Sequence, residues 1–386
     1  MVKFAHMADV HLGSWRQQEM QDLNFESFKL AVKTCIDEKV DFILIAGDLF
    51  DSPYPPIEIL KQTFAEFRKI KESGIPCFII GGSHDYSVAG KTFLEVLEKT
   101  GFCKNVANFV EENDKIILKP TVHENIVFYG YPGKKTGLDV KDLRRIKLEE
   151  IQGSFFRILM LHTTIDKAKG DLPIEAVSEN DLPLVDYYAL GHLHIDFQYK
   201  NFVYPGPVFP NNFAELEELK HGRFYIVNTN DSQKMKRIEL KIKEIEPIIF
   251  TAENSGNTEK IITELGKRNL NDKVVLLRVK GEVENFKVSD IDFKKIQDFS
   301  KERNAYFMLK NTHNLKTKSP DIDVEVEESE DIEGETIKVF SKQNNSGLNL
   351  MIPELMKSLS IEKQIGETSE TFSRRILDES KKILKF

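Results

Sequence analysis

Five short apolar runs in the first half of the chain each stop at an Asp or His, and this recurrence confines the chain to a layered α/β fold. The clearest run is residues 42–45, four strongly apolar residues that suit a fully buried strand and give way through Ala46 and Gly47 to Asp48. Residues 2–8 alternate in the manner of a strand and deliver Asp9 and His11. Residues 77–80 lead into Gly81, Gly82, Ser83, His84 and Asp85, residues 157–161 into His162, and residues 187–190 into Gly191, His192 and His194. In open α/β sheets a functional site gathers beyond the carboxyl ends of the strands, so the five endings predict one shared site.

The connections agree. Phe25, Phe28, Val32, Cys35 and Ile36 recur at helical spacing, and Leu60, Phe64 and Phe67 mark one face of a second helix over 57–72, after Pro53, Pro55 and Pro56. Strand, helix and strand make a βαβ unit. At 386 residues the chain exceeds the usual single domain, so one larger and one or two smaller domains are expected. Three scattered cysteines, Cys35, Cys77 and Cys103, argue for a reducing compartment. With no 18-residue apolar run and no charged-then-apolar leader at Met1, the chain reads as soluble, intracellular and not membrane-bound.

A carboxylate placed directly after a buried strand needs a positive partner; for Asp48 that is a metal ion, or else the side chain caps the following helix. Asp9 and His11, two residues apart at a strand end, can share an ion in a mixed oxygen and nitrogen set suited to Mn, Fe or Zn. Of nine histidines, His11, His84, His162, His192 and His194 all follow apolar strands, whereas a lone structural His would show no such placement.

Asp9-x-His11, Gly47-Asp48-x-x-Asp51, Gly-x-His84-Asp85, His162 and Gly191-His192-x-His194 resemble, in order and approximate spacing, the five motifs of calcineurin-like metallophosphoesterases. Residues 8–13, 46–50, 188–194 and 204–206 are similar to SbcD-type DNA double-strand-break repair nucleases in particular. The resemblance covers roughly residues 1–230. It implies a two-sheet sandwich flanked by helices, and two ions, usually manganese with iron or magnesium as alternatives. Asp9, His11, Asp48 and His194 would hold one ion, and Asp48, Ser83, His162 and His192 the other. His84 would face the scissile phosphate as a catalytic residue. Asp85 would orient His84, or serve only as a loop or helix cap.

One position departs from the family. Asn usually precedes the motif histidine, and here Ser83 stands in its place, a shorter and weaker ligand that binds through Oγ, through a water, or less tightly. Three readings follow: a metal-demanding DNA nuclease with exonuclease and endonuclease action, a DNA-tethering scaffold disabled at Ser83, or a phosphoesterase for small nucleotides. Trp15 and Arg16, leaving the first loop, suit stacking and phosphate contacts to DNA; Lys134, Lys135, Arg144, Arg145, Lys147, Lys167 and Lys169 offer further positive charge, though such residues more often form a solvated face.

The expected division is a nuclease domain over 1–235, a small α+β module over 236–315, an acidic linker over 316–347 and a helical segment over 348–386; the resemblance implies that 236–315 caps the site and orients DNA, and a plain structural appendage is equally compatible. The net charge of -8 is concentrated in residues 321–335, which hold nine acids and no Lys or Arg, so the rest of the chain is close to neutral and its charge excludes neither DNA nor other partners. Ile352, Leu355, Met356 and Leu359 share one helical face, and Phe372, Ile376, Leu377, Ile383 and Leu384 another, which must be buried on the chain itself or on a partner. The resemblance implies an SMC-like ABC ATPase for 348–386. It also implies a homodimer through helices carrying Leu60, Phe64 and Phe67 or Phe93 and Leu97, residues that core packing would equally claim.

Overall fold

A computed structural model describes residues 2–87, 89–133, 139–171, 173–229, 234–284, 287–318, 346–361 and 369–384, with 337 and 341 as isolated positions. Most of the expected linker, 316–347, therefore lies outside the described residues. Contacts divide the chain into one unit of 1–251, 258–280 and 292–314, and another of 252–257, 281–291 and 315–386.

Alternation along the apolar runs builds the first unit. In Phe42–Ala46, Ile43 and Ile45 point to one face of the sheet and Phe42, Leu44 and Ala46 to the other, and both faces are buried. This strand lies in a sheet ordered Lys234–Leu240, Gly222–Asn228, Lys3–Met7, Phe42–Ala46, Cys77–Ile80 and Lys104–Asn105. The last four of these are mutually parallel, as βαβ connections require. A second six-stranded sheet runs Phe197–Tyr199, Phe202–Tyr204, Tyr187–Gly191, Phe156–His162, Ile126–Tyr131 and Thr121–His123.

One core cluster draws from both sheets, so they pack face to face. Phe42 and Phe78 of the first sheet meet Phe128 of the second, with ring centroids 5.2 and 4.0 Å apart. The outer face of the first sheet is covered by helices Gln18–Asp37 and Ile57–Glu72, which present Phe28, Val32 and Phe67 to it. Phe67 and Leu97 are fully buried in the core, and Leu60, Phe64 and Phe93 pack against it while staying partly exposed.

From Ile245 a smaller sheet takes over, with Ile245–Thr251, Val274–Glu284 and Phe307–Asn311 parallel to one another. Val274, Leu276 and Leu309 share a cluster with Trp15, Met20, Leu23, Phe209 and Leu216, fastening this module to the first loop and first helix. In the other unit, helices Ile352–Leu359 and Ser369–Leu384 touch through Ser358 and Ser380, and Leu359 and Leu377 are exposed. Among the described residues, no helix is long and apolar enough to cross a membrane.

His6 lies wholly inside the sandwich, its Nδ1 hydrogen-bonded to the Tyr187 hydroxyl at 3.0 Å. Burial pulls its imidazole down to about 3, so in acid the unfolded chain takes up a proton that the native protein refuses. Stability from this group is complete above the unfolded value near 6.5 and is lost as pH falls from there toward 3. Urea unfolding between pH 6.5 and 4.5 is expected to show a steeper loss for the wild type than for His6→Gln, the slopes differing by up to about 1.4 kcal/mol per pH unit.

Candidate metal centre

The strand endings converge as the sequence predicts. The loops after Lys3–Met7 and Phe42–Ala46 run side by side, with the N–H groups of Asp9, His11 and Leu12 donating to the carbonyls of Gly47, Asp48 and Leu49 at 2.9 to 3.1 Å. Asp9, His11, Asp48 and His192 all adopt positive φ, between 45° and 95°, a conformation costly for residues with a Cβ that persists where surrounding bonds impose it. Gly47 and Gly191 permit the closeness. A Cβ on Gly47 would collide with the His162 ring, and one on Gly191 with the Ala46 carbonyl.

Three groups of potential ligands result: Asp9 with His11 and His194, His11 with Asp48 and His84, and Asp9 with Asp48 and His162. Asp9, His11 and Asp48 each belong to two of these groups. The Ser83 hydroxyl donates to Asp48 Oδ2 at 3.4 Å, within the expected second group. His192 sets its ring 5.2 Å from that of His162, and its backbone N–H donates to the Asp9 carboxylate at 3.0 and 3.2 Å.

The tautomers identify what these groups can hold. His162 Nδ1 donates to the Ala46 carbonyl at 3.0 Å, and a carbonyl only accepts, so in the neutral ring it is Nε2 that carries the lone pair, facing Asp48 Oδ2 at 3.1 Å. That Nε2 is buried without a hydrogen-bond partner. His11 Nδ1 contacts Asp51 Oδ1 at 3.2 Å and His194 Nδ1 contacts Glu215 Oε1 at 3.0 Å, and each carboxylate fixes its ring with Nε2 directed inward. The two Nε2 atoms lie 3.2 Å apart. Two neutral imidazoles in this tautomer face lone pair to lone pair, which requires a cation or a proton between them. Carboxylate oxygens and imidazole nitrogens around such a point suit a divalent transition metal, so these residues fit the ions expected.

Asp48 and His162 also stabilise each other's charged forms. Burial opposes charge on Asp48, yet the imidazoles of His162 and His11 and the His84 N–H hold its carboxyl well below the usual carboxylate range. His162 moves oppositely: burial disfavours its charged form, and the Asp48 carboxylate nonetheless raises it.

Two expectations are corrected. Asp85 does not orient His84: it is buried, and its carboxylate accepts the N–H groups of Leu49, Phe50 and Gly82 at 2.9 to 3.2 Å. The His84 imidazole meets Asp51 instead, with Nδ1 3.0 Å from its carbonyl oxygen and 3.6 Å from Oδ1. Trp15 offers no ring to DNA, being only 7% exposed in the cluster beneath the smaller sheet, with Nε1 donating to the Pro210 carbonyl at 3.0 Å. Arg16 is exposed. Arg144, Arg145 and Lys167 pair with Asp181, Asp142 and Glu179, and Lys134 and Lys135 lie outside the described residues. Glu215 went unnoticed in the sequence, where its only signal is the Asn212-x-x-Glu215 spacing of a capping box.

Asp85→Ala would strand three buried N–H donors. A loss of about 3 kcal/mol or more in urea unfolding is expected, with Asp85→Asn losing less because it keeps one acceptor oxygen.

Comparison with known proteins identifies the family. The model of the calcineurin-like phosphoesterase family matches residues 2–196. A DNA double-strand break repair protein Mre11 from Aeropyrum pernix is 32% identical over 231 residues, 56% of this chain and 56% of that protein. Its counterpart from Methanocaldococcus jannaschii is 28% identical over 66% of this chain and 71% of its own length. A component of the nuclease SbcCD from Staphylococcus epidermidis is 29% identical over 68% of this chain and 75% of its own length. The chain thus spans little more than half the length of the first of these relatives. With a family match that takes in half the chain and all five strand endings, this chain belongs to the calcineurin-like phosphoesterases.

Proposed function

We propose that the chain is an intracellular, manganese-dependent DNA nuclease of double-strand-break repair that acts on duplex ends and single strands with an SMC-like ABC ATPase. The observation that carries the reading is the pair of inward-facing Nε2 atoms of His11 and His194, 3.2 Å apart, beside the shared carboxylates of Asp9 and Asp48. Ions held there by Asp9, His11, Asp48 and His194, and by Asp48, Ser83, His162 and His192, would polarise the phosphodiester and lower the pKa of an attacking water.

His84 supplies the remaining chemistry. Its side chain is 48% exposed, and with Nδ1 committed to the Asp51 carbonyl, Nε2 is the nitrogen open to a phosphate. From there it stabilises developing charge or protonates the leaving oxygen. The names of the relatives support DNA as the substrate. In this reading residues 1–235 form the nuclease domain and 236–315 orient DNA over it. The apolar faces of 348–386 seat the ATPase beyond the acidic linker, as the exposed Leu359 and Leu377 favour. A homodimer belongs to the same proposal, and since Phe67 and Leu97 are spent in the core, it would rest on outward residues such as Ile57 and Val96.

Ser83 favours one rival, a tethering scaffold, because its hydroxyl already donates to Asp48. Cleavage of labelled linear duplex DNA across a manganese titration separates the readings. The wild type is expected to cut, His84→Ala to bind ions but lose about a hundredfold or more in rate, and Ser83→Asn to cut at lower manganese. DNA and ATPase binding without cleavage would select the scaffold, and turnover of small phosphodiesters alone the nucleotide phosphoesterase.

A further inference from the structure

The helix Phe213–Leu219 has only two turns, too short to hold its place by its own hydrogen bonds, yet it presents Glu215 to His194. Its position is set from outside. At its start the Asn212 side chain accepts from the Glu215 N–H at 3.0 Å and donates to Oε1, while the Asn211 N–H donates to Oε2 at 2.8 Å. Along its length the anchors come from the smaller sheet. Arg278, on the strand Val274–Glu284, forms a two-pronged pair with Glu217, Nε to Oε1 at 3.0 Å and Nη2 to Oε2 at 2.7 Å. The same guanidinium lies 5.1 Å from the centre of the Phe213 ring, and Leu216 packs with Val274 and Leu276.

We infer that Arg278 is a positioning residue for the metal centre, acting through Glu217 and the Phe213–Leu219 helix to hold Glu215 against His194. This inference rests on the reading of Asp9, His11 and His194 as an ion-binding group. The Arg278 and Glu217 side chains are both mostly buried, so the pair is geometrically defined rather than a loose surface contact. Glu215 is in turn held at both oxygens, so a shift of the helix turns the carboxylate away from Nδ1 and frees the His194 ring to rotate. A module remote in sequence thereby fixes the direction of one ligand nitrogen.

The test is manganese binding to the full chain, read by the electron paramagnetic resonance of free Mn(II), for wild type, Arg278→Ala, Arg278→Lys, Glu217→Gln and the double variant Glu217→Gln with Arg278→Ala. Melting temperature is followed in parallel. Each of Arg278→Ala and Glu217→Gln is expected to weaken one ion about tenfold, the double variant no more than either alone, and Arg278→Lys to recover part of the loss. Glu217→Gln keeps the size of the side chain and serves if Arg278→Ala does not fold. Wild-type affinity in Glu217→Gln and Arg278→Ala would overturn the inference while leaving the metal reading intact. A wild type that binds no manganese would instead overturn the metal reading, and the positioning role with it.

Discussion

The burial of Asp48 is the constraint on which the rest depends. A carboxylate with almost no access to water cannot stay ionised alone, and this one keeps its charge because His11 and His162 and the His84 N–H surround it. Each neighbour must arrive from a different strand ending, and the two loops that meet at Asp48 and His11 must turn abruptly to bring them together. The positive φ values at Asp9, His11, Asp48 and His192 and the bare Cα atoms of Gly47 and Gly191 are the backbone form of that demand. The paired loops from residues 9 to 12 and 47 to 49, with Asp85 gripping Leu49 and Phe50 from behind, supply the rigidity that sustains it.

The sandwich is as much a part of the site as the ligands. Asp9, His11, Asp48 and His84 follow strands of one sheet, and His162, His192 and His194 follow strands of the other. Their separation is therefore set by the layer of Phe42, Phe78 and Phe128 between the sheets. A core substitution that changes the thickness of this layer would move two half-sites relative to each other without touching either.

Orientation of the imidazoles is a third level of organisation, and it comes from groups that touch no ion in any reading of the site. The Ala46 carbonyl and the carboxylates of Asp51 and Glu215 take the Nδ1 atoms of His162, His11 and His194, leaving their Nε2 atoms converging. Of these three, only Glu215 sits on a helix that is itself anchored by a distant module.

The sequence by itself determined the strands, the helices between them and the five endings where chemistry collects. Those follow from local pattern: apolar runs of strand length, helical spacing of Phe25, Phe28 and Val32, and polar residues where each run stops. What only the tertiary structure decided is which side chain meets which. Asp85 is the partner for His84 that one dimension suggests, but the fold spends Asp85 on three backbone N–H groups and gives His84 to Asp51. Trp15 looks free beside the first loop until the Val274–Glu284 strand, far away in sequence, closes over it. Glu215 reaches His194 from a capping position whose spacing announces a helix start and nothing more. Local pattern fixes how the chain runs, because the backbone geometry of each element is local. Pairings between distant residues depend on how the layers pack, and no short stretch of sequence holds that information.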